Sequence, residues 1–259
     1  MTTSPLDFTI RIATTLADLR EACRVRAESY GHHVPELGER FGAAETLDHA
    51  PGTMVLLARC KSSGRGIGTA RIQTSAFGPL LIDASATLPA ALAGATRAEI
   101  TRLAVCAGAD AQVKAGLMKA AYLYCVACQV RWLVIGARSD ALIRNYRALG
   151  FSNALPGGEK VPLAHAGGVP HLLLAFDVTA AERTWQASGH RLYGFMVGSF
   201  HPDLQLFDAQ PLRPLAQRPP RRVRAATCSR RAWLPRGDMA GIQPRGAQRA
   251  NSVASSSRV

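Results

Sequence analysis

Glu99-Ile100-Thr101-Arg102-Leu103-Ala104-Val105, then the polar turn Ala107-Gly108-Ala109-Asp110, then Gln112 to Cys128, is the stretch on which the fold turns. The first seven residues read as a strand. From Gln112 onward Val113, Leu117, Ala121, Cys125 and Cys128 recur on one helical face. Trp132 to Ile135 is a compact apolar run, as expected of a strand covered on both faces. Ser139 or Asp140 can cap a helix from Ala141 to Leu149, which Gly150 stops. Strand, helix, strand, helix in this order implies a mixed α/β sheet with at least one crossover unit.

The flanking sequence extends the same sheet. Phe8 to Ile12 predicts a short strand, and Leu16 to Tyr30 a helix with Leu16, Leu19, Cys23 and Ala27 at helical spacing, capped by Thr14 or Thr15. Met54 to Cys60 and Gly68 to Gln73 predict two strands joined by the glycine-rich connection Lys61 to Ile67, which suits a hairpin. The last core strand is His171 to Val178, after a Pro/Gly-rich connection from Pro156 to Pro170.

The net charge of +13 sits mostly at the end of the chain. Residues 211–259 hold 11 arginines, no lysine and one acid, Asp238, so +10 of the total is theirs and +3 remains for residues 1–210. That Arg/Pro-rich segment lacks apolar periodicity and cannot bury enough surface to offset its ordering entropy, so it predicts a disordered tail after a folded domain at 1–210. Its arginines are accompanied by one aromatic, Trp233, which offers salt-sensitive attraction to polyanions and no base reading. No run approaches the ~18 apolar residues of a spanning helix, and the start lacks a basic segment followed by an apolar one, so a cytoplasmic location is expected. The six cysteines are scattered through a chain long enough not to need staples, which favours reduced thiols.

A second stretch, Asn145-Tyr146-Arg147-Ala148-Leu149-Gly150-Phe151, resembles the "FYxxLGF" ending of the GNAT superfamily, and Glu99 to Val105 with its loop and helix resembles that superfamily's acyl-transferring core. The resemblance covers residues 8 to about 208. It implies the GNAT fold: a mixed, mostly antiparallel sheet with flanking helices. Within the superfamily the sequence is most similar to the FeeM-type N-acyl amino acid synthases and the acyl-homoserine-lactone (autoinducer) synthases. Arg26 matches an arginine of their first helix, Glu45 and Asp48 their paired acids, although the first of that pair is usually aspartate, and Arg71 an arginine of the second hairpin strand. Glu99 and Arg102 match their Glu-x-x-Arg strand. His165 to Pro170 and Tyr193 to Leu206, with His201-Pro202-Asp203, look more like the FeeM type.

The resemblance implies transfer of an acyl group, a long-chain fatty acyl by preference, from a carrier thioester to the amine of an amino acid or related small molecule. Such a reaction needs a route for the amine's proton, donors for the oxyanion and an acid for the departing thiolate. Glu99 is the candidate base or ammonium anchor, and Tyr146 stands where many members hold the acid. On an ideal strand Arg102 points away from Glu99, so both reach one site only across a bulge, which GNAT folds have here. Backbone N–H groups near Leu103 to Val105 would then serve the thioester carbonyl. In the donor loop, Gln112-Val113-Lys114-Ala115-Gly116-Leu117 departs from Gln/Arg-x-x-Gly-x-Gly/Ala, with Ala115 for the first glycine and Leu117 for the last small residue. Gln112, Lys114, Ala115 and Gly116, with Asn145, are the candidate donor-binding residues. The worn pyrophosphate cradle favours phosphopantetheine presented by an acyl carrier protein over free acyl-CoA. No permanently bound cofactor or metal is expected. Acyl length would depend on the helix from Leu16 to Tyr30 and the loop from Thr74 to Gly94.

Plainer readings stand beside these. Glu99 and Arg102 could form a structural ion pair within a charged network that includes Arg26, Asp48 and Arg71, Tyr146 could be a half-buried packing tyrosine, and Glu45 and Asp48 could be solvated loop acids. An acetyl-CoA-dependent enzyme of the same fold, or a polyanion-binding protein acting through its tail, are the alternatives in function. Cys125 and Cys128 have metal-ligand spacing inside a predicted helix without a second pair, Gly64 to Gly68 reads as a hairpin rather than a phosphate loop, and the histidines, His33 and His165 among them, read as surface or core residues.

Overall fold

A computed structural model describes residues 2–32 and 34–207. The predicted tail, the boundary at 210, His33 and Cys228 lie outside them. The chain opens with β1 (Thr2–Thr3), β2 (Phe8–Ile12), α1 (Leu16–Gly31) and α2 (Pro35–Phe41). The hairpin follows as β3 (Thr53–Cys60) and β4 (Gly66–Thr74), then the short α3 (Ala90–Ala93). The deciding stretch forms β5 (Arg97–Val105), α4 (Ala111–Ala127), β6 (Trp132–Ala137) and α5 (Asp140–Arg147). The remainder is β7 (Ser152–Asn153), β8 (Lys160–Leu163), β9 (Val169–Asp177), α6 (Ala181–Ala187), β10 (Ser199–Phe200) and β11 (Leu204–Gln205).

Among the described residues one nine-stranded sheet runs β11-β2-β3-β4-β5-β6-β9-β7, with β8 on β9; β11/β2 and β5/β6 are parallel and the other pairs antiparallel. The expected crossover is β5-α4-β6. Caps fall where the short polar side chains allow: Thr15 accepts from the Asp18 N–H, Asp110 from that of Gln112 and Ser139 from that of Leu142. Gly150, at φ +102°, ends the turn after α5 as only a residue without Cβ does easily.

Both faces of the sheet are covered, which is why its strands read as continuous apolar runs. On one face α4 buries Val113, Leu117, Ala121 and Cys125 against Ile10, Leu56, Ile72 and Ile100. Cys128, expected on that face, is exposed, because α4 ends one residue earlier. On the other face α1 packs Leu19, Ala22 and Cys23 on Val55 and Leu57. The segment after β4 places Leu80, Ile82, Leu88 and Leu92 on Val134, Leu173 and Ala175. The Pro156–Pro170 connection contains β8 and a 3-10 turn at Ala164–Ala166. The five cysteines among the described residues are free thiols.

Two irregularities position the site. Residue pairing between β4 and β5 slips between Thr69/Ala104 and Arg71/Thr101, so β5 carries one extra residue there, and Arg102 has φ +54°. Pairing between β5 and β6 stops at Ile100/Ile135, although β6 stays paired with β9 as far as Ala137. The sheet therefore splits beyond Ile100.

Candidate active site at the split in the sheet

A cavity of about 580 Å³ opens in the split, lined on one side by Thr101 to Val105 of β5 and on the other by Ile135, Gly136 and residues of α5 including Tyr146. Because β5 has lost its neighbour there, backbone groups on the β6 side of Arg102 to Val105 have no strand partner among the described residues, and the Tyr30 hydroxyl donates to the Leu103 carbonyl at 3.4 Å. The floor is built by α2. A Cβ on Gly38 would come within 2.6 Å of the Gly31 Cα, and this close approach to α1 brings Leu37 and Phe41 to the cavity.

Beneath the β5 wall lies a charged network. Arg26, fully buried, makes a bidentate pair with Asp48 at 2.8 and 3.0 Å. Arg71 donates to the Thr101 hydroxyl (2.9 Å), Glu45 (2.8 Å) and Asp48 (3.3 Å). Arg102 grips both oxygens of Glu45 at 2.7 Å, lies 3.8 Å from the Phe41 ring centroid and donates to the His165 carbonyl at 3.3 Å. Burial works against the charge of Glu45 and Asp48, but Arg102 and Arg71 offset it for the first and Arg26 for the second, so both carboxyls stay below their ordinary range. Three arginines against two acids leave one positive charge in the network. Arg71 Nη2 and Arg26 Nε are buried without a hydrogen-bond partner among the described residues.

Glu99 stands apart from these arginines. Its Oε2 accepts from the Ile82 N–H at 3.1 Å, and its Oε1 lies 3.7 Å from His165 Nε2. Burial pushes the carboxyl up to about 7, against the pull of the Ile82 and Leu81 N–H groups. His165 borders the cavity; burial, then Arg102, His171 and Arg71, hold it down to about 4, so the imidazole is neutral at pH 7. Tyr146 is buried, which raises its phenol; its hydroxyl has no hydrogen-bond partner among the described residues, and Lys114 Nζ lies 5.2 Å from its ring centroid. Lys114, part-buried, is lowered by desolvation.

No protein-family model and no curated protein matches the chain. Among solved structures, FeeM, an N-acyl amino acid synthase from uncultured soil microbes, aligns over 73% of this chain and 98% of its own, at 18% identity with a TM-score of 0.53. BjaI, a CoA-dependent acyl-homoserine lactone synthase, covers 75% and 93% at 16% identity with a TM-score of 0.47. A putative acetyltransferase of the GNAT family from Desulfovibrio desulfuricans covers 66% and 99% at 17% identity with a TM-score of 0.45. The chain has the GNAT fold.

On this GNAT frame the residues expected from the sequence divide. Arg26, Glu45, Asp48, Arg71 and Arg102 form one connected cluster, so Glu45 and Asp48 are not solvated loop acids; Asp48 sits in a 3-10 turn at Thr46–His49, and its carboxylate accepts from the Glu45 N–H. Among the described residues Glu99 makes no ion pair with Arg102, whose partner is Glu45. Leu103, Val105, Tyr146 and Lys114 line the cavity; Gln112, Ala115 and Asn145 do not, and Gln112 and Asn145 are exposed. Gly116 faces the core: a Cβ there would meet Ile10 Cδ1 and Phe8 Cε2 at 3.0 Å, so its smallness serves helix–sheet packing and not a phosphate. The loop from Thr74 to Gly94 lines none of the cavity, because its apolar residues pack on β6 and β9 instead. His165, read from sequence as a surface or core residue, belongs to the site. The Gly167-Gly168 pair that follows it, at φ +73° and +75°, makes the sharp return into β9. Among the described residues no group of His, Cys, Asp or Glu could hold a metal.

Proposed function

We propose that the protein is an N-acyltransferase that moves a fatty acyl group from a phosphopantetheine thioester on an acyl carrier protein to the amine of an amino acid or related small molecule. The observation that carries the reading is the split at Ile100/Ile135, which opens a cavity between an unpaired strand edge and a buried tyrosine. An extended pantetheine arm can complete the β5 edge, and the free N–H groups there would meet the thioester carbonyl as negative charge develops. Tyr146 would give its proton to the departing thiolate. A cavity wall of Tyr30, Leu37, Phe41, Leu142, Leu163 and Val169 suits an alkyl chain.

The carrier-bound donor is favoured by the end of α4. Asp110 already occupies the Gln112 N–H at 2.6 Å and puts a negative charge where a nucleotide pyrophosphate would need amides. The same carboxylate would repel it. Among the described residues no helix is long and apolar enough to cross a membrane. Lipid extracts of cells making the protein, examined by mass spectrometry, should contain an N-acylated amine whose mass identifies chain and acceptor together. Purified protein with acyl-carrier donor should form the same product, and Tyr146→Phe should slow it about tenfold or more without unfolding; full activity in that variant would remove Tyr146 from the reaction.

A further inference from the structure

We propose that His165 is the proton acceptor of this transfer and that Glu99 acts through it, as a positioning residue that orients the ring and stabilises its charged form. The inference deepens the acyl-transfer reading and rests on it. His165 borders the cavity and Glu99 does not. Glu99 is only 1% exposed and faces His165 Nε2 across 3.7 Å, longer than a hydrogen bond, as catalytic contacts often are before substrate closes the site. With Nε2–H turned to the carboxylate, Nδ1 keeps its lone pair; that atom is buried and has no partner among the described residues. A buried ring nitrogen without a partner, on a residue that borders a cavity, calls for an explanation, and accepting a proton supplies one.

The turn that carries the ring is anchored on both sides. The Ser85 hydroxyl accepts from the Ala164 N–H at 3.1 Å, and Arg102 donates to the His165 carbonyl. The charged network thus ends by fixing the imidazole. The groups around it are Arg102 and Glu99 from β5, Arg71 from β4, Glu45 and His171. At pH 7 the amino acid arrives as an ammonium, and the step begins as its proton passes to Nδ1; the freed amine nitrogen then bonds to the thioester carbonyl carbon while the imidazolium pairs with the Glu99 carboxylate. The C–S bond breaks as the proton still carried by the attacking nitrogen passes through the Tyr146 hydroxyl to the thiolate. The imidazolium returns its proton to solvent, and the relay leaves Tyr146 as it began.

The test compares two nucleophiles with dodecanoyl-carrier protein as donor at pH 7: a mixture of the standard amino acids, whose amines arrive protonated, and hydroxylamine, which is already neutral. His165→Gln should cut amide formation about 100-fold through kcat while leaving the hydroxylamine reaction within a few-fold. Equal losses on both nucleophiles, or none on either, would overturn the assignment. If the wild type acylates neither nucleophile, the acyl-transfer reading itself fails. The pairing is checked separately, without substrate, by following the His165 ring nitrogens by NMR: Glu99→Gln should move their titration and proton distribution, and an unchanged titration refutes the coupling.

Discussion

The two walls of the cavity are held by opposite kinds of force. Behind β5, Arg26, Asp48, Arg71, Glu45 and Arg102 fix one another through paired, directional bonds in a setting almost closed to water. Behind β6 and α5 the support is aromatic: Tyr146 on Phe151 (5.7 Å between centroids), Phe151 stacked on Phe176 (5.0 Å), Phe176 on Trp185 (5.4 Å). A buried charge is intolerant of losing its partner, whereas an apolar stack tolerates a change that nearly keeps volume. The difference teaches where precision resides: the β5 wall sets angles around the polar groups at the cavity, and the α5 wall supplies bulk and dryness.

The sharpest way to break this contrast is to weaken each wall in turn. Arg26→Leu leaves Asp48 buried with only the long contact to Arg71 and the Glu45 N–H, and should cost about 3–5 kcal/mol in denaturant unfolding. Arg26→Leu with Asp48→Leu removes both charges and should regain more than half of that. Phe151→Leu on the other wall should cost at most about 1.5 kcal/mol. Equal costs for the two single variants would mean that the walls do not differ as described.

Next in size is an effect confined to Glu99, a buried acid of β5 that makes no ion pair with an arginine among the described residues. Its folded-state value, about 7, lies above the ordinary 4.5, so folding favours the protonated form. Below about pH 4.5 the carboxyl is protonated in both states and costs nothing; above about 7 it is ionised in both and its burial is opposed in full. Glu99→Gln, which still accepts from the Ile82 N–H, should therefore change stability little at pH 4.5 and raise it by on the order of 3 kcal/mol at pH 8. Thermal unfolding at the two pH values reads this directly. A variant less stable than wild type at pH 8 would show that the ionised form is the better satisfied one. Higher stability together with a displaced His165 titration would be the signature of a group kept strained for its chemistry.

The elements with a sustained period were legible before any coordinates: Val113, Leu117, Ala121 and Cys125 are all fully buried, and the strands flanking them begin and end within a few residues of expectation. The bulge at Arg102 was foreseen from the resemblance, on the argument that two charges on opposite faces of a strand must meet. Short or irregular pieces were not legible. α2 spans only Pro35–Phe41 and carries its apolar contacts on Leu37 and Phe41, too brief for a pattern. Gly116 misled because a glycine at a helix start suggests an anion site; yet it follows Val113 by three residues and precedes Leu117, so the buried face already claimed it. His165 was hidden because its partners, Glu99 and Arg102, come from a distant strand, and nothing in residue order joins a glycine-rich connection to a sheet interior.

The smallest effect concerns the start of α4 and sharpens the donor assignment. Asp110 caps α4 through the Gln112 N–H, and its charge faces the end of the helix that would hold a nucleotide's phosphates. Asp110→Asn keeps an acceptor for that N–H but removes the charge, so stability should fall by only a few tenths of a kcal/mol. Removing an anion from a helix N-terminus changes the local energy by about 0.3–1 kcal/mol, so KM for an acyl-CoA should fall about two- to fivefold. KM for the same acyl group on a carrier protein should stay where it was, because its pantetheine phosphate needs none of the nucleotide's further contacts. If the wild type already used free acyl-CoA more efficiently than the carrier-bound donor, the capped helix end would have no bearing on donor choice, and the preference for a carrier protein would have to be given up.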